Sequence, residues 1–285
     1  MGSVATKLLS ALAAGVLLSV LTPTAALARP TQPSAAPSQI GYDISWPQCG
    51  APLPQGQAFA IIGVNGGVAN TTNPCLASQL AWAEQSTGRV GQPRVGLYVN
   101  TANPGFQGSW WPRSDTDAPD WVTPGGPDRT IAQLPPASAN PYGACDYAED
   151  SACAYRYGYV MAYDDANNRG IPVTSAASYR WWLDVETMNT WSADRTANAA
   201  VLEGMTAYFQ SVGASVGLYS TGYQWNRIAS VSADSNLEGL PSWLAGAPSL
   251  KSAKSLCSAA PLTVGGRVSL TQFIYRSLDN NYSCP

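Results

Sequence analysis

Arg180-Trp181-Trp182-Leu183-Asp184-Val185-Glu186 is the stretch on which the fold turns. It is short, apolar almost to its end, and flanked by segments with helical patterning. Runs of this kind suit strands buried on both faces, which arise where helices cover a parallel sheet. In a strand, residues i and i+2 point to one side. Asp184 and Glu186 then converge at the C-terminal end, where β/α barrels place their chemistry. Two carboxylates in unequal surroundings separate into an acid and a base. The plainer reading is a strand-end Asp capping the next turn beside a solvated Glu.

Working outward, similar runs recur at Gly41–Ser45, Phe59–Val64, Val95–Asn100, Ser215–Ser220, Ser242–Ala245 and Val268–Tyr275. Helical patterns lie between them: Cys75–Thr87, Tyr155–Arg169 and Ser192–Val212, the last with Ser192 as N-cap candidate and Asp194 in its first turn. Strands alternating with helices over about 250 residues predict one α/β domain, a barrel ahead of an open sheet. An open sheet would bring a Gly-rich nucleotide loop, and Gly63-Val64-Asn65-Gly66-Gly67 does not fit G-x-G-x-x-G. The segment 103–144 breaks the rhythm. It is rich in Pro, Gly, Asp and Trp (Trp110, Trp111, Trp121) and reads as an ordered loop walling a cleft.

The 285 residues include no histidine, which excludes Ser-His-Asp and Cys-His nucleophiles and imidazole metal ligands. Proton chemistry falls to carboxylates, tyrosines or lysines. Of five glutamates, only Glu186 ends a buried run. A net charge of −3 without a Lys/Arg cluster gives no footprint for nucleic acid. Residues 1–28 read as an export signal: Lys7, an apolar run Leu8–Leu21, and Ala26-Leu27-Ala28 as a cleavage site. Residues 29–39 read as a disordered lead-in. The chain is expected outside the cell, not as an integral membrane protein and acting as a monomer. All six cysteines follow the leader, and their sequence-local spacing suggests the disulfides Cys49–Cys75, Cys145–Cys153 and Cys257–Cys284. No C-x-x-C spacing suggests zinc, and nothing calls for a metal or cofactor.

A further acid, Asp43, sits inside the first run, where a buried carboxylate needs partners or a purpose. Asp43-Ile44-Ser45-Trp46-Pro47-Gln48 resembles the D-x-S-x-x-Q opening of the family 25 glycoside hydrolases, the Chalaropsis-type lysozymes. Leu183-Asp184-Val185-Glu186 is similar to their central L-D-x-E strand. Gly217-Leu218-Tyr219-Ser220 resembles their G-x-Y-[ST], Trp243-Leu244-Ala245 their W-x-A, and Gln272-Phe273 their late Q-[YF]. The resemblance implies an irregular TIM-like barrel across 40–285, with five β/α units and then more strand-rich segments. It also implies cleavage of the N-acetylmuramic acid–N-acetylglucosamine linkage of peptidoglycan; a glycosidase for another envelope glycan would share the site and differ in its loops. Glu186 would be the general acid, Asp184 would stabilise positive charge or orient a substrate N-acetyl group, and Asp43 would stand at the mouth. The chain departs from the family at Val64-Asn65-Gly66-Gly67, which has no acid, in the Trp-rich insertion, and at Leu278-Asp279-Asn280.

Ten Trp and 14 Tyr against four Phe favour rings that stack on sugars while their edges hydrogen-bond. Tyr98, Asn100, Tyr219, Trp243 and Gln272 lie near strand ends and are expected to line the mouth, with Asn65 and Asp279 as further binding candidates. Asn70-Thr71-Thr72 and Asn281-Tyr282-Ser283 match the glycosylation sequon by chance, and Asp164-Asp165 reads as a solvated helix end. The contrasting reading is a catalytically silent barrel that binds wall glycan or a protein partner. It gains if Glu186 is locked in a salt bridge or covered by the long loop.

Overall fold

The apolar runs form seven strands, parallel from each to the next, and an eighth strand closes them into a barrel in chain order. The structure, a computed structural model, describes residues 39–119, 140–171 and 173–285. The strands are β1 (Ile40–Ile44), β2 (Ala60–Gly63), β3 (Val95–Asn100), β4 (Arg180–Asp184), β5 (Ser215–Ser220), β6 (Ser242–Ala247), β7 (Val268–Tyr275) and β8 (Leu278–Ser283). The last of these runs antiparallel to both neighbours, β7 and β1. Among the described residues five α-helices follow β2 to β6 in turn: α1 (Leu76–Ala83), α2 (Ser151–Asn167), α3 (Arg195–Ser211), α4 (Gly222–Ile228) and α5 (Leu250–Leu256). These are the five β/α units that the resemblance implied, displaced by one strand. The first strand runs instead into a short 3-10 turn, Trp46–Gln48.

Alternation along the strands sorts side chains between two cores. Trp181 points outward and stacks on Phe209 of α3, with centroids 4.4 Å apart. Trp182 points inward and meets Trp243 edge-on at 5.7 Å, in a smaller cluster with Phe59, Ile61 and Leu270. Gly217 on β5 makes room for this floor, because a Cβ there would lie 2.4 Å from the Trp182 ring.

Most boundaries differ from the expectation by a residue or more, α1 for instance ending at Ala83 rather than Thr87, and three of the differences bear on the site or the caps. The fourth strand ends at Asp184, so Glu186 lies in the loop beyond it. α3 is capped by Asp194, whose carboxylate accepts from Thr196 N and Ala197 N; Ser192 stands further back, where its hydroxyl accepts from Asp194 N. A carboxylate reaching two free N–H groups outcompetes one hydroxyl as a cap. α2 starts at Ser151, four residues before the expected Tyr155, with Asp150 as its cap.

All three expected disulfides are present. Among the described residues no helix is long and apolar enough to cross a membrane. The leader, nearly all of the lead-in and Trp121 lie outside the described residues.

Candidate active site

The inward rows of the strands converge over the Trp182–Trp243 floor on a chamber of about 130 Å³. Four carboxylates line it: Asp43 from β1, Asp184 from the end of β4, Glu186 just beyond, and Asp279 from β8. Tyr98, Tyr219, Trp243 and Gln272 complete the wall, and none of these lining residues is cationic. The sequence places Asp184 and Glu186 together correctly, although the strand ladder ends between them. Val185 carries the chain on, its N–H donating to Tyr219 O at 2.9 Å.

Each acid has its own surroundings. Asp184 is 5% exposed and accepts from Asn100 Nδ2 at 2.8 Å through Oδ2. Its Oδ1 is buried without a hydrogen-bond partner. Burial first, then the charges of Glu186 and Asp43, hold this carboxyl well above the usual carboxylate range. Asp43 is 8% exposed and accepts from Asn281 Nδ2 at 2.6 Å and from Gln272 Nε2 at 3.1 and 3.2 Å. Burial and Asp279, its partner across the β1–β8 pair, push Asp43 up to about 7. Glu186 is half-buried and raised by burial, opposed by a hydrogen bond from Gln224 at the start of α4. The Gln224 amide is oriented by Thr187, whose N–H and hydroxyl donate to Oε1 at 2.6 and 2.9 Å. Asp279 is raised by burial. Carboxyl groups that keep protons near neutrality, beside others in different environments, are what acid catalysis without histidine requires.

The polar wall is ordered by reciprocal contacts. Tyr219 donates to Gln272 Oε1 at 2.9 Å, which turns the Gln272 NH2 toward Asp43. Asn100 is half-buried and meets the chamber through Asp184 rather than lining it. Asn65 departs from the expectation more fully. It is 1% exposed, and its amide is committed to Asn100 N, Asp165, Ala69 O and Thr71 O, behind the chamber. Asp164 and Asp165 are likewise not solvated: both are buried and paired with Arg169.

Trp110 and Trp111 also lie away from the chamber. They stack on Tyr157 of α2 at 6.0 and 5.3 Å, Trp111 buried and Trp110 half-buried, and together line a separate cleft of about 460 Å³ with Phe106, Arg113 and Tyr147. Two residues of the site escaped the sequence reading, Asn281 and Gln224. Asn281 reads in sequence as part of a chance sequon, yet it is fully buried against Asp43. Its signal was the i, i+2 spacing from Asp279, which puts both on the inward face of one strand.

Comparisons with known proteins agree with the sequence motifs. The family described as lysozyme-like protein 1 matches residues 159–248. Probable GH family 25 lysozyme 4 of Dictyostelium discoideum is 48% identical over 44 residues, covering 15% of this chain and 20% of the relative. Lysozyme-like protein 5 of Caenorhabditis elegans is 35% identical over 78 residues, covering 27% and 34%. The chain thus spans about a third or less of the length of these curated relatives. Among solved structures, the modular Cpl-1 endolysin, complexed with a peptidoglycan analogue, aligns with 86% of this chain and 53% of its own. The sequence identity is 16% and the TM-score 0.46. By the family model and the curated relatives, the chain is similar to lysozyme-like proteins, a family 25 lysozyme among them.

Proposed function

We propose that this lysozyme-like chain is an exported glycoside hydrolase that cleaves peptidoglycan or a related envelope glycan. The observation that carries the reading is the meeting of Asp43, Asp184, Glu186 and Asp279 in one aromatic-floored chamber. Glu186 is the general acid. Its proton passes to the glycosidic oxygen as the bond from that oxygen to the anomeric carbon breaks, and water supplies the hydroxyl that replaces it. Asp184 acts in its ionised form, stabilising the positive charge developing on the sugar through Oδ1 directly or by orienting an acetamido group, so turnover requires release of the proton that burial makes it hold. Asp43 and Asp279 close the mouth, while Tyr98, Tyr219, Trp243 and Gln272 bind the sugar. Glu186 has no salt bridge among the described residues, which favours an enzyme over a silent binding barrel. Three disulfides suit an oxidising compartment outside the cytoplasm.

The test is incubation of the protein with purified wall glycans, reading the release of reducing ends. Glu186→Gln is expected to reduce turnover by about 10²–10⁴-fold while circular dichroism stays unchanged. Undiminished turnover in that variant removes Glu186 from its role.

A further inference from the structure

We propose that Asn65, clamped by the buried pair Asp165 and Arg169, is a positioning residue that sets where Asn100 meets Asp184. The inference rests on the role given to Asp184 above. The contacts form an unbroken chain. Arg169 Nε donates to Asp165 Oδ1 at 3.0 Å, and Asn65 Nδ2 donates to the same oxygen at 2.9 Å. Asn65 Oδ1 accepts the backbone N–H of Asn100 at 2.8 Å, and Asn100 Nδ2 donates to Asp184 Oδ2 at 2.8 Å. The amide of Asn65 has one orientation that satisfies both ends, oxygen toward Asn100 and NH2 toward Asp165.

The reason for an asparagine lies in the sheet. The β2–β3 ladder ends at the pair Gly63 and Tyr98, so Asn100 N–H has moved past the last carbonyl of β2. The side chain of Asn65 supplies the missing acceptor. Arg169 is itself held by Asp164 and by Thr72 Oγ1 at 3.0 Å, which ties the end of α2 to the loop after β2. A buried ionic cluster is weak as a source of stability, because desolvation offsets attraction. Its geometry, however, is stiff, and here the stiffness is transmitted to one carboxylate. Asp184 is faced by Glu186 beyond β4, Asp43 on β1, Tyr98 on β3 and Tyr219 on β5, with Asp279 opposite on β8. Among these, none donates a hydrogen bond to Asp184; that falls to Asn100.

A carboxyl-carbon NMR titration of Asp184 in the full chain tests this without reference to turnover. The midpoint in Asn65→Ser is expected above that of the wild type, in the direction of Asn100→Ala. The double variant should titrate with Asn100→Ala and not beyond it, since both act through one contact. Glycan turnover by Asn65→Ser should fall about tenfold in kcat with KM unchanged. If Asn65→Ser does not fold, Asn65→Thr keeps more of the volume and carries the same expectations. An unchanged Asp184 midpoint, or separate additive shifts in the double variant, overturns the positioning role. A wild-type chain that leaves glycan uncut would instead overturn the proposed function, and the titration would still decide this inference.

Discussion

Replacing Asp43 by asparagine should make the protein more stable above neutral pH. The Asp43 carboxyl is pushed from its ordinary 3.8 to about 7, by burial first and Asp279 second. A native state that holds a proton more tightly than the unfolded chain is favoured in acid. That advantage is complete below about pH 4 and is lost as the pH rises through 7. The span from 3.8 to about 7 corresponds to about 4 kcal/mol, a ceiling because the titration is shared with Asp279. Asp43→Asn removes the ionisation but leaves one oxygen for two donors, Gln272 and Asn281. Losing one hydrogen bond costs about 1 kcal/mol. Part of this is recoverable, since turning the Asn281 amide would offer its unpartnered Oδ1 to the new NH2.

The expected outcome is a gain of up to about 3 kcal/mol at pH 8 and none at pH 4, read by urea unfolding with disulfides intact. In thermal melts this is about 6–12 °C at the higher pH. Equal stabilities at pH 8, or the same gain at pH 4, would refute the claim that the buried charge strains the fold. Turnover should fall in the same variant, the usual opposition between an active centre and stability.

Other expectations concern the scaffold and the acid. Gly158 of α2 and Gly204 of α3 let the helices touch backbone to backbone: a Cβ on Gly158 would lie 1.9 Å from Val201 O. Gly158→Ala should therefore cost about 1–3 kcal/mol in denaturant unfolding, and a neutral result would show that the helices separate freely. Gln224→Ala removes a donor that favours ionised Glu186, so the limb of the pH–rate profile governed by Glu186 should move to higher pH. An unmoved profile would dissociate Gln224 from the acid. Cys257→Ser with Cys284→Ser opens a link between residues 27 apart and should cost about 3–4 kcal/mol. Turnover in that variant should fail at a lower urea concentration than in the wild type.

The parallel strands were legible because burial on both faces leaves compact apolar runs, and Val95–Asn100 and Ser215–Ser220 have the bounds expected from sequence. The eighth strand was not legible, and its composition explains why. Leu278-Asp279-Asn280-Asn281-Tyr282-Ser283 is polar because its inward face furnishes the site with Asp279 and Asn281. Its turn conceals it too. Arg276 and Ser277 adopt φ of 54° and 58°, where a hairpin ordinarily announces itself with Asn-Gly. α4 and α5 have seven residues each, too few to show a period. Asp165 reads as solvent-facing because Asn65, which donates to it, is 100 residues away in sequence. The tryptophan excess serves two ends, Trp182 and Trp243 beneath the chamber and Trp110 and Trp111 on α2, where they wall a separate cleft.

The antiparallel strand also imposes an order of assembly. Asp43 is made near the start of the barrel, while Asn281, which holds it, is made 238 residues later. During synthesis the earlier strands can associate with their sequence neighbours, but β1 keeps an open edge and Asp43 has neither Asn281 nor Asp279 beside it. A chain interrupted before residue 278 would carry Asp184 and Glu186 in a sheet that has not shut. For a hydrolase of the proposed kind, this is a built-in delay. The last hairpin both shuts the barrel and brings Asp43 its full set of partners.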